Sequence, residues 1–507
     1  MLTASLPCMT NLAGRGWSFE YTPLPSTASR DDLVVTTSLG DGSRHLESLS
    51  LRPFRGSLLL LAVVLGGYLL FSRAFAYVRV PGMPVFIGDL TLAILLLQVG
   101  RVPMRVRALV WHSVPARMLT ALLVMSGGLV WVHFPAYGID ALRDAAPMLY
   151  GLYSIAVAAA ILHNRHVLPW LAGWYQRVLP WFLVWAPISV YLGAAKVNTS
   201  WTVPGSSTSI FSFKPGDTAV HVAAAISFLW LIQGSRIRSS AYHRALTAVG
   251  FTGLLAAGSI NRGGLAAGGV MLALTFLRYA PRRGTIAAIS LGVLSLLVAA
   301  ASLTGVRVEL GGDRDVSLEQ VLTNVVATIG GQVDEESNLK NNVRWRLGLW
   351  GEVFSDVQDG DIGTFGLGVG PNLANRYGYA TSSAESAQQL RSVHNSHLTI
   401  LARWGVLGAA LWLAMWLTWV RGVDRVGRSA RSAAASLEQQ LAAWVIIVAA
   451  GMLVNGVFDA ALEGPHASIW LWVIMGIGLG ICGIQAPRSD RRAPKAESTR
   501  AAGVQIQ

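Results

Sequence analysis

The feature that most constrains this chain is a recurrence of apolar runs, most of them roughly 18–20 residues long, broken by arginine, glycine and proline. They lie near 56–76, 84–100, 118–134, 145–163, 178–195, 216–233, 244–260, 264–279, 284–304, 398–420, 438–457 and 467–484. A run of that length crosses the hydrocarbon layer as a helix, and only helices and closed barrels pair every backbone N–H and C=O within lipid. The ten-residue alternation of a membrane barrel is not in the sequence. Composition agrees: 53% of the 507 residues are hydrophobic and 13% charged, against about 25% charged in soluble domains. The chain reads as an all-α polytopic membrane protein with about twelve transmembrane helices.

A net charge of +13 would suggest nucleic acid in a soluble protein. In a membrane protein the positive-inside rule accounts for it. Arginine gathers on alternate connections: Arg101, Arg105, Arg107 and Arg117; Arg165 and Arg177; Arg236, Arg238 and Arg244; Arg421, Arg425, Arg428 and Arg431. This asymmetry predicts two cytoplasmic termini and puts the long 305–397 segment outside. The expected organisation is a polar cytoplasmic tail over 1–55, a first membrane block over 56–304, an extracytoplasmic cap over 305–397, a second membrane block over 398–484 and a basic tail over 485–507. Two cysteines, Cys8 and Cys482, define no disulfide framework. Within the cap, 316–329 and 341–357 read as helices. Val343, Leu347, Trp350, Phe354 and Val357 form an apolar stripe on the second, and the glycines of 360–370 mark a turn-rich segment.

Ionisable residues at the outer ends of apolar runs are the candidates for chemistry. His394 stands before a helix start, where the dipole disfavours an imidazolium and leaves a neutral ring able to accept a proton; capping the helix is its alternative role. Asn395 adjoins it, and His397 lies one turn on. Arg262 stands between two apolar runs with almost no loop, where it either snorkels to the interface or faces an anion. Arg346, with Arg344 beside it and Trp350 four residues on, offers a guanidinium fork suited to phosphate oxygens, or else a solvated helix face. Lys214, Asp217 and His221 open one span, as interfacial anchors or substrate contacts. Asp313-Arg314-Asp315 and Asp359-Gly360-Asp361 fit the Asp-x-Asp pattern of metal-dependent glycosyltransferases, but an Asp-rich loop yields such matches cheaply, and no metal ligands are assigned.

The span from His394-Asn395 to Gly405, with a membrane helix following the His-Asn pair, resembles the motif of the O-antigen ligase and polymerase superfamily. Arg346 with Trp350, Arg262 beside Gly263-Gly264, and Arg143-Asp144 resemble further elements of that family. His397 departs from it, standing where the family more often has an aromatic. The resemblance implies transfer of a glycan from undecaprenyl diphosphate to an acceptor hydroxyl at the outer face of the inner membrane. It gives Arg262, Arg346 and Arg344 to the diphosphate and His394 to the acceptor proton, with Asn395, His397, Trp350, Arg143 and Lys214 in support. No metal or cofactor is then required. A polysaccharide polymerase of the same superfamily uses similar residues. The rival from another class is a glycan or lipid transporter, but the large loop follows the ninth run and the chain shows no halfway repeat.

Overall fold

The computed structural model describes residues 54–79, 85–194, 201–234 (205 and 207 aside), 240–279, 338–377, 391–428 and 435–485. Both tails, the expected span 284–304, the expected helix 316–329 and the Asp313–Asp315 pattern lie outside them.

The described chain is helical, with two isolated β-bridges. In order the helices are α1 (Arg55–Phe71), α2 (Arg73–Ala76), α3 (Ile87–Val99), α4 (Pro103–His112), α5 (Val114–Tyr137), α6 (Ile139–Leu149), α7 (Leu152–His163), α8 (Val167–Ala194), α9 (Pro215–Ile232), α10 (Ala241–Ile260), α11 (Arg262–Tyr279), α12 (Asn338–Gln358), α13 (Leu373–Arg376), α14 (Ser396–Gly427), α15 (Leu437–Phe458) and α16 (Pro465–Gln485). Every expected apolar segment within the described residues coincides with a helix. Six helical spans among these residues are long and apolar enough to cross a membrane: α5, α6 with α7, α9, α14, α15 and α16. The pair α3 and α4, bent by 97°, makes a seventh if taken as one broken span. The remaining segments fall short for visible reasons. α1 has 17 residues, and α10 opens on Tyr242, His243 and Arg244.

Two helices form the centre. Residues 216–231 of α9 and 466–481 of α16 are buried without interruption, as expected of helices apolar on every face. Lipid tails are as apolar as leucine, so helices associate here through close packing and interhelical hydrogen bonds. At Gly264 an added Cβ would lie 2.6 Å from the Gly216 Cα, so the starts of α9 and α11 touch backbone to backbone. Indole N–H groups tie helices to carbonyls across the bundle: Trp444 to Ala224 at 3.0 Å, Trp419 to Met475 at 3.0 Å and Trp470 to Leu65 at 3.2 Å. Trp472 donates at 2.7 Å to the Pro147 carbonyl, beside the break between α6 and α7. Asp89, an acid inside an expected span, accepts from the Phe86 N–H at 3.2 Å and the Tyr150 hydroxyl at 2.9 Å at the start of α3.

The described residues of the 305–397 segment dock on α14 through a small second core of Leu349, Val353, Ile362, Leu373, Val393 and Ala402. This corrects the expected stripe on α12. Val357 packs against that core, but Leu347 and Phe354 are 57% and 51% exposed. Leu349 lies about 200° around the helix from Leu347, so a stripe drawn through 347 and 354 faces away. The partners that choose the buried face come from loop residues far along the chain, which the periodicity of α12 does not contain.

The glycine-rich turn after α12 inserts into α14. Gly405 interrupts that helix at φ 67, ψ −169. The N–H groups of Leu367 and Gly368 bond to the Ala402 and Arg403 carbonyls at 2.8 and 3.0 Å. Those of Val406 and Leu407 bond to the Gly363 and Thr364 carbonyls at 3.3 and 3.2 Å. The backbone groups freed by the kink are thereby satisfied, as a break at membrane depth demands.

Candidate active site

Five elements converge at one end of the bundle: the residue before α9, the break between α10 and α11, helix α12, the start of α14 and the connection from α15 to α16. His394 lies at their meeting point with φ 53, a left-handed conformation uncommon for a side-chain-bearing residue. Its loop is held on both sides. The Trp350 indole donates to the Val393 carbonyl at 3.0 Å, and the His394 N–H donates to Ser392 Oγ at 3.3 Å. The Asn395 side chain then caps α14, accepting from the N–H groups of His397 and Leu398 at 3.0 and 3.1 Å. Trp350 and Asn395 thus position His394.

Asp459 stands opposite. Its Oδ1 is 4.0 Å from His394 Nδ1, and its Oδ2 pairs with Lys214 Nζ at 3.0 Å. Arg346 Nη1 donates at 2.8 Å to the carbonyl of Phe458, the last residue of α15, where the helix dipole is negative. Arg262 is the first residue of α11, directly after Asn261, whose Oδ1 accepts from the Gly264 N–H at 2.8 Å. A Cβ at Gly263 would lie 2.5 Å from the Phe458 Cβ, which fixes the start of α11 beside Asp459. Arg344 is one turn or less from Arg346 on the backbone of α12.

Electrostatics follow from this crowding. Burial, reinforced by Arg346 and Lys214 and opposed by Asp459, pulls the His394 imidazole down to about 4. The ring is therefore neutral at pH 7, but neighbouring cations and burial do what the helix dipole was expected to do. Burial alone would lower the Lys214 ammonium; Asp217 and Asp459 outweigh it and hold the group above the ordinary lysine value. Beneath Lys214, Asp217 accepts from Asn455 Nδ2 at 2.8 Å and meets His466 Nε2 at 2.7 Å, all three buried. His221 packs its ring against Trp470 in the same layer, at 5.2 Å between centroids.

His397 is occupied elsewhere. Trp412 Nε1, which only donates, is 3.2 Å from its Nδ1, and its Nε2 is 2.9 Å from the Leu453 carbonyl, which only accepts. That fixes one neutral tautomer with both nitrogens used. His397→Ala is predicted to lower the thermal unfolding temperature in detergent, because the buried Trp412 indole N–H loses its acceptor, at a cost of about 1–3 kcal/mol. It should keep a substantial fraction of activity per folded molecule. A loss equal to that of His394→Ala would overturn this assignment.

Arg143 belongs to a neighbouring group. It pairs with Asp140 at 3.1 Å, and Asp144 is 3.8 Å away. Asp144 also holds Arg391 and Arg403, each at 3.0 Å. Arg403, 2% exposed, is the cation most deeply set in α14 and lies two residues before the Gly405 kink. Arg143, Asp144, Arg391, Arg403 and Glu463 line a cavity of about 160 Å³. Asp359 and Asp361 of the second Asp-x-Asp pattern are turned to Ser355 and Arg376, at 3.1 and 2.8 Å.

The O-antigen ligase family model matches residues 245–413. That match covers about a third of the chain and supports the O-antigen ligase superfamily. The match and the six apolar helices support a multi-pass membrane enzyme of the ligase or polymerase type. No curated protein matches it. The matched region carries Arg262, Arg346, His394 and Gly405, whereas Lys214, Asp459 and Glu463 come from outside it. Sequence reasoning missed Asp459, Glu463, Arg391 and Arg403. The readable sign for the first two was two acids in the short 459–465 connection between apolar runs; Arg391 and Arg403 carried no sign beyond their charge.

Proposed function

We propose that this O-antigen ligase-type enzyme transfers a glycan from undecaprenyl diphosphate to an acceptor hydroxyl at the extracytoplasmic face of the inner membrane. Arg346, Lys214, Arg262 and Arg344 bind the diphosphate, and His394 serves as general base. The observation that carries this reading is the gathering of His394 and Lys214 at Asp459, with Arg346 on the adjacent Phe458 carbonyl, at the end of the bundle where α11 begins with Arg262. A helix N-terminus and a cation at one point favour an anion. The acceptor oxygen attacks the anomeric carbon, and the bond to the diphosphate oxygen breaks with its electron pair. The acceptor proton passes to His394 Nε2, while Asp459 faces Nδ1 and stabilises the imidazolium that forms. Attack opposite the leaving group inverts the anomeric centre. The positive charge comes from the chain itself, so this route uses no metal. A polymerase differs in its acceptor, which here is another lipid-linked glycan.

Two expected results test it. Arg346→Lys keeps the charge but loses the fork, and its stem no longer brings a planar donor to both Phe458 and a phosphate. Transfer from purified lipid-linked donor should fall by about a hundred-fold, the scale of losing one fixed donor to developing charge, with membrane protein level unchanged. Full activity would move the diphosphate role to Arg344. The proposal also requires twelve spans, cytoplasmic termini and an external 305–397 segment. A cysteine at Ser337 should be labelled by an impermeant thiol reagent on intact cells, and one at Ser429 should not. The reverse pattern would remove the extracytoplasmic donor.

A further inference from the structure

The cavity beside the His394 cluster has a different chemistry from the cluster itself. On the His394 side, Lys214 answers to Asp459 and Asp217, and Arg346 donates to the Phe458 carbonyl. On the cavity side, Arg143, Arg391 and Arg403 are matched by Asp140, Asp144 and Glu463, and four of these pairs are at 3.0–3.1 Å. A balanced set of charges offers nothing to a diphosphate. Among the remaining wall residues are Trp404, Trp412 and Trp472, with Thr399 and Ser468. All three indole N–H groups are already spent, on Ser126 Oγ, His397 Nδ1 and the Pro147 carbonyl. The rings therefore border the cavity with carbon. Glu463 is its acid: Thr399 Oγ1 donates to it at 2.8 Å, and burial raises its carboxyl above the usual range despite Thr399 and Arg403.

Indole carbon beside fixed hydroxyl and carboxyl groups suits a sugar ring, which presents C–H faces and a rim of hydroxyls. About 160 Å³ is well below the roughly 300–1,000 Å³ that encloses a drug-sized ligand. It takes one ring and not an oligosaccharide. The wall shared with the His394 cluster is Ser396 and Leu462: Ser396 Oγ donates to the Asp459 carbonyl at 3.2 Å and accepts from the Leu462 N–H at 3.2 Å. The cavity thus adjoins the backbone of Asp459, whose carboxylate meets Lys214 and faces His394.

We infer that this cavity is the subsite for the acceptor sugar, with Glu463 binding its hydroxyls and the indoles packing its ring. The inference rests on the glycosyl-transfer reading above. It fits in-line displacement, in which the nucleophile enters opposite the diphosphate. Glu463, Thr399 and the indoles are specificity residues, and His394 alone takes the proton.

The test uses the full-length protein in detergent, with donor and acceptor extracted from cells lacking the gene. Such cells hold unused lipid-linked glycan and unmodified envelope glycan. Initial rates are measured varying each substrate in turn for wild type, Glu463→Gln and Ser468→Leu. Glutamine still accepts from Thr399, so the first variant keeps the local fold; leucine fills the cavity. The KM for acceptor should rise about tenfold or more in both, with the KM for donor within about twofold; tenfold corresponds to about 1.4 kcal/mol. Arg346→Lys, in contrast, should shift the donor KM. Unchanged acceptor KM in both variants would leave the cavity without a role and overturn the inference. A rise in the donor KM alone would assign the cavity to the donor's first sugar and equally overturn it. If wild-type protein transfers nothing from the lipid diphosphate, the preceding reading fails first, and this one with it.

Discussion

Replacing His394 with alanine is expected to slow glycan transfer by about a hundred- to ten-thousand-fold, the usual contribution of a positioned general base. Binding of the lipid diphosphate should survive, because Arg346 and Lys214 keep their partners Phe458 and Asp459 without it. Asp459→Asn should be milder, since the carboxylate faces Nδ1 at 4.0 Å and does not touch the acceptor. The pH dependence gives a second, independent readout. His394 is depressed to about 4, so it is neutral above that value and protonated below it. As pH falls, kcat/KM should therefore stay flat through 6.5 and drop only near the depressed value of the free enzyme. Bound diphosphate adds negative charge beside Arg346 and Lys214, which offsets part of the depression. The limb in kcat should lie at higher pH than the limb in kcat/KM. A kcat/KM limb at or above the ordinary histidine value, or full activity of His394→Ala with purified donor, would end the base assignment.

The second large effect is structural. Gly405→Ala should destabilise the protein severely. Its φ and ψ fall in a region populated essentially by glycine alone, at a cost of about 1–3 kcal/mol for any other residue. The new Cβ would also collide with backbone atoms of Gly363, Thr364 and Gly366. Relieving that overlap pulls the inserted turn out of the kink and breaks the four backbone hydrogen bonds that seal it. The same turn runs on to Gly370, whose N–H meets Asp144 at 3.1 Å and whose carbonyl meets Arg391 at 2.6 Å, so the cavity should open as well. Thermal unfolding in detergent should show a large drop and the purified variant should transfer poorly. Gly351→Ala is the control. That glycine lies inside α12 with nothing within 4 Å of a new Cβ, and alanine there should stabilise by about 0.5–1 kcal/mol. Equal behaviour of the two variants would mean the kink tolerates a side chain.

Much of this molecule is readable without coordinates, because membrane helices obey a local rule. Length and apolarity of a run decide whether it forms a buried helix, so each described segment from 56–76 to 467–484 coincides with one. The His394–Gly405 spacing was equally local, and it lies within the residues that match the family model. Glycine at 405 was visible as a motif, but its reason was not: the kink exists because a turn 37–42 residues earlier fills it. Likewise, Leu347 and Phe354 satisfied a helical stripe, while the buried face of α12 was chosen by Ile362, Leu373 and Val393.

The sequence by itself determined the described helices and carried the family resemblance, since each depends on residues close together along the chain. Only the tertiary structure decided which charges meet. Asp459 reaches Lys214 from the far end of α15, Glu463 and Thr399 come from different elements, and Arg403 finds Asp144 across the bundle. Charges in a poorly screened interior are stable only beside a partner, and the partners here are 64 to 259 residues apart, so their pairing is a property of the packed bundle.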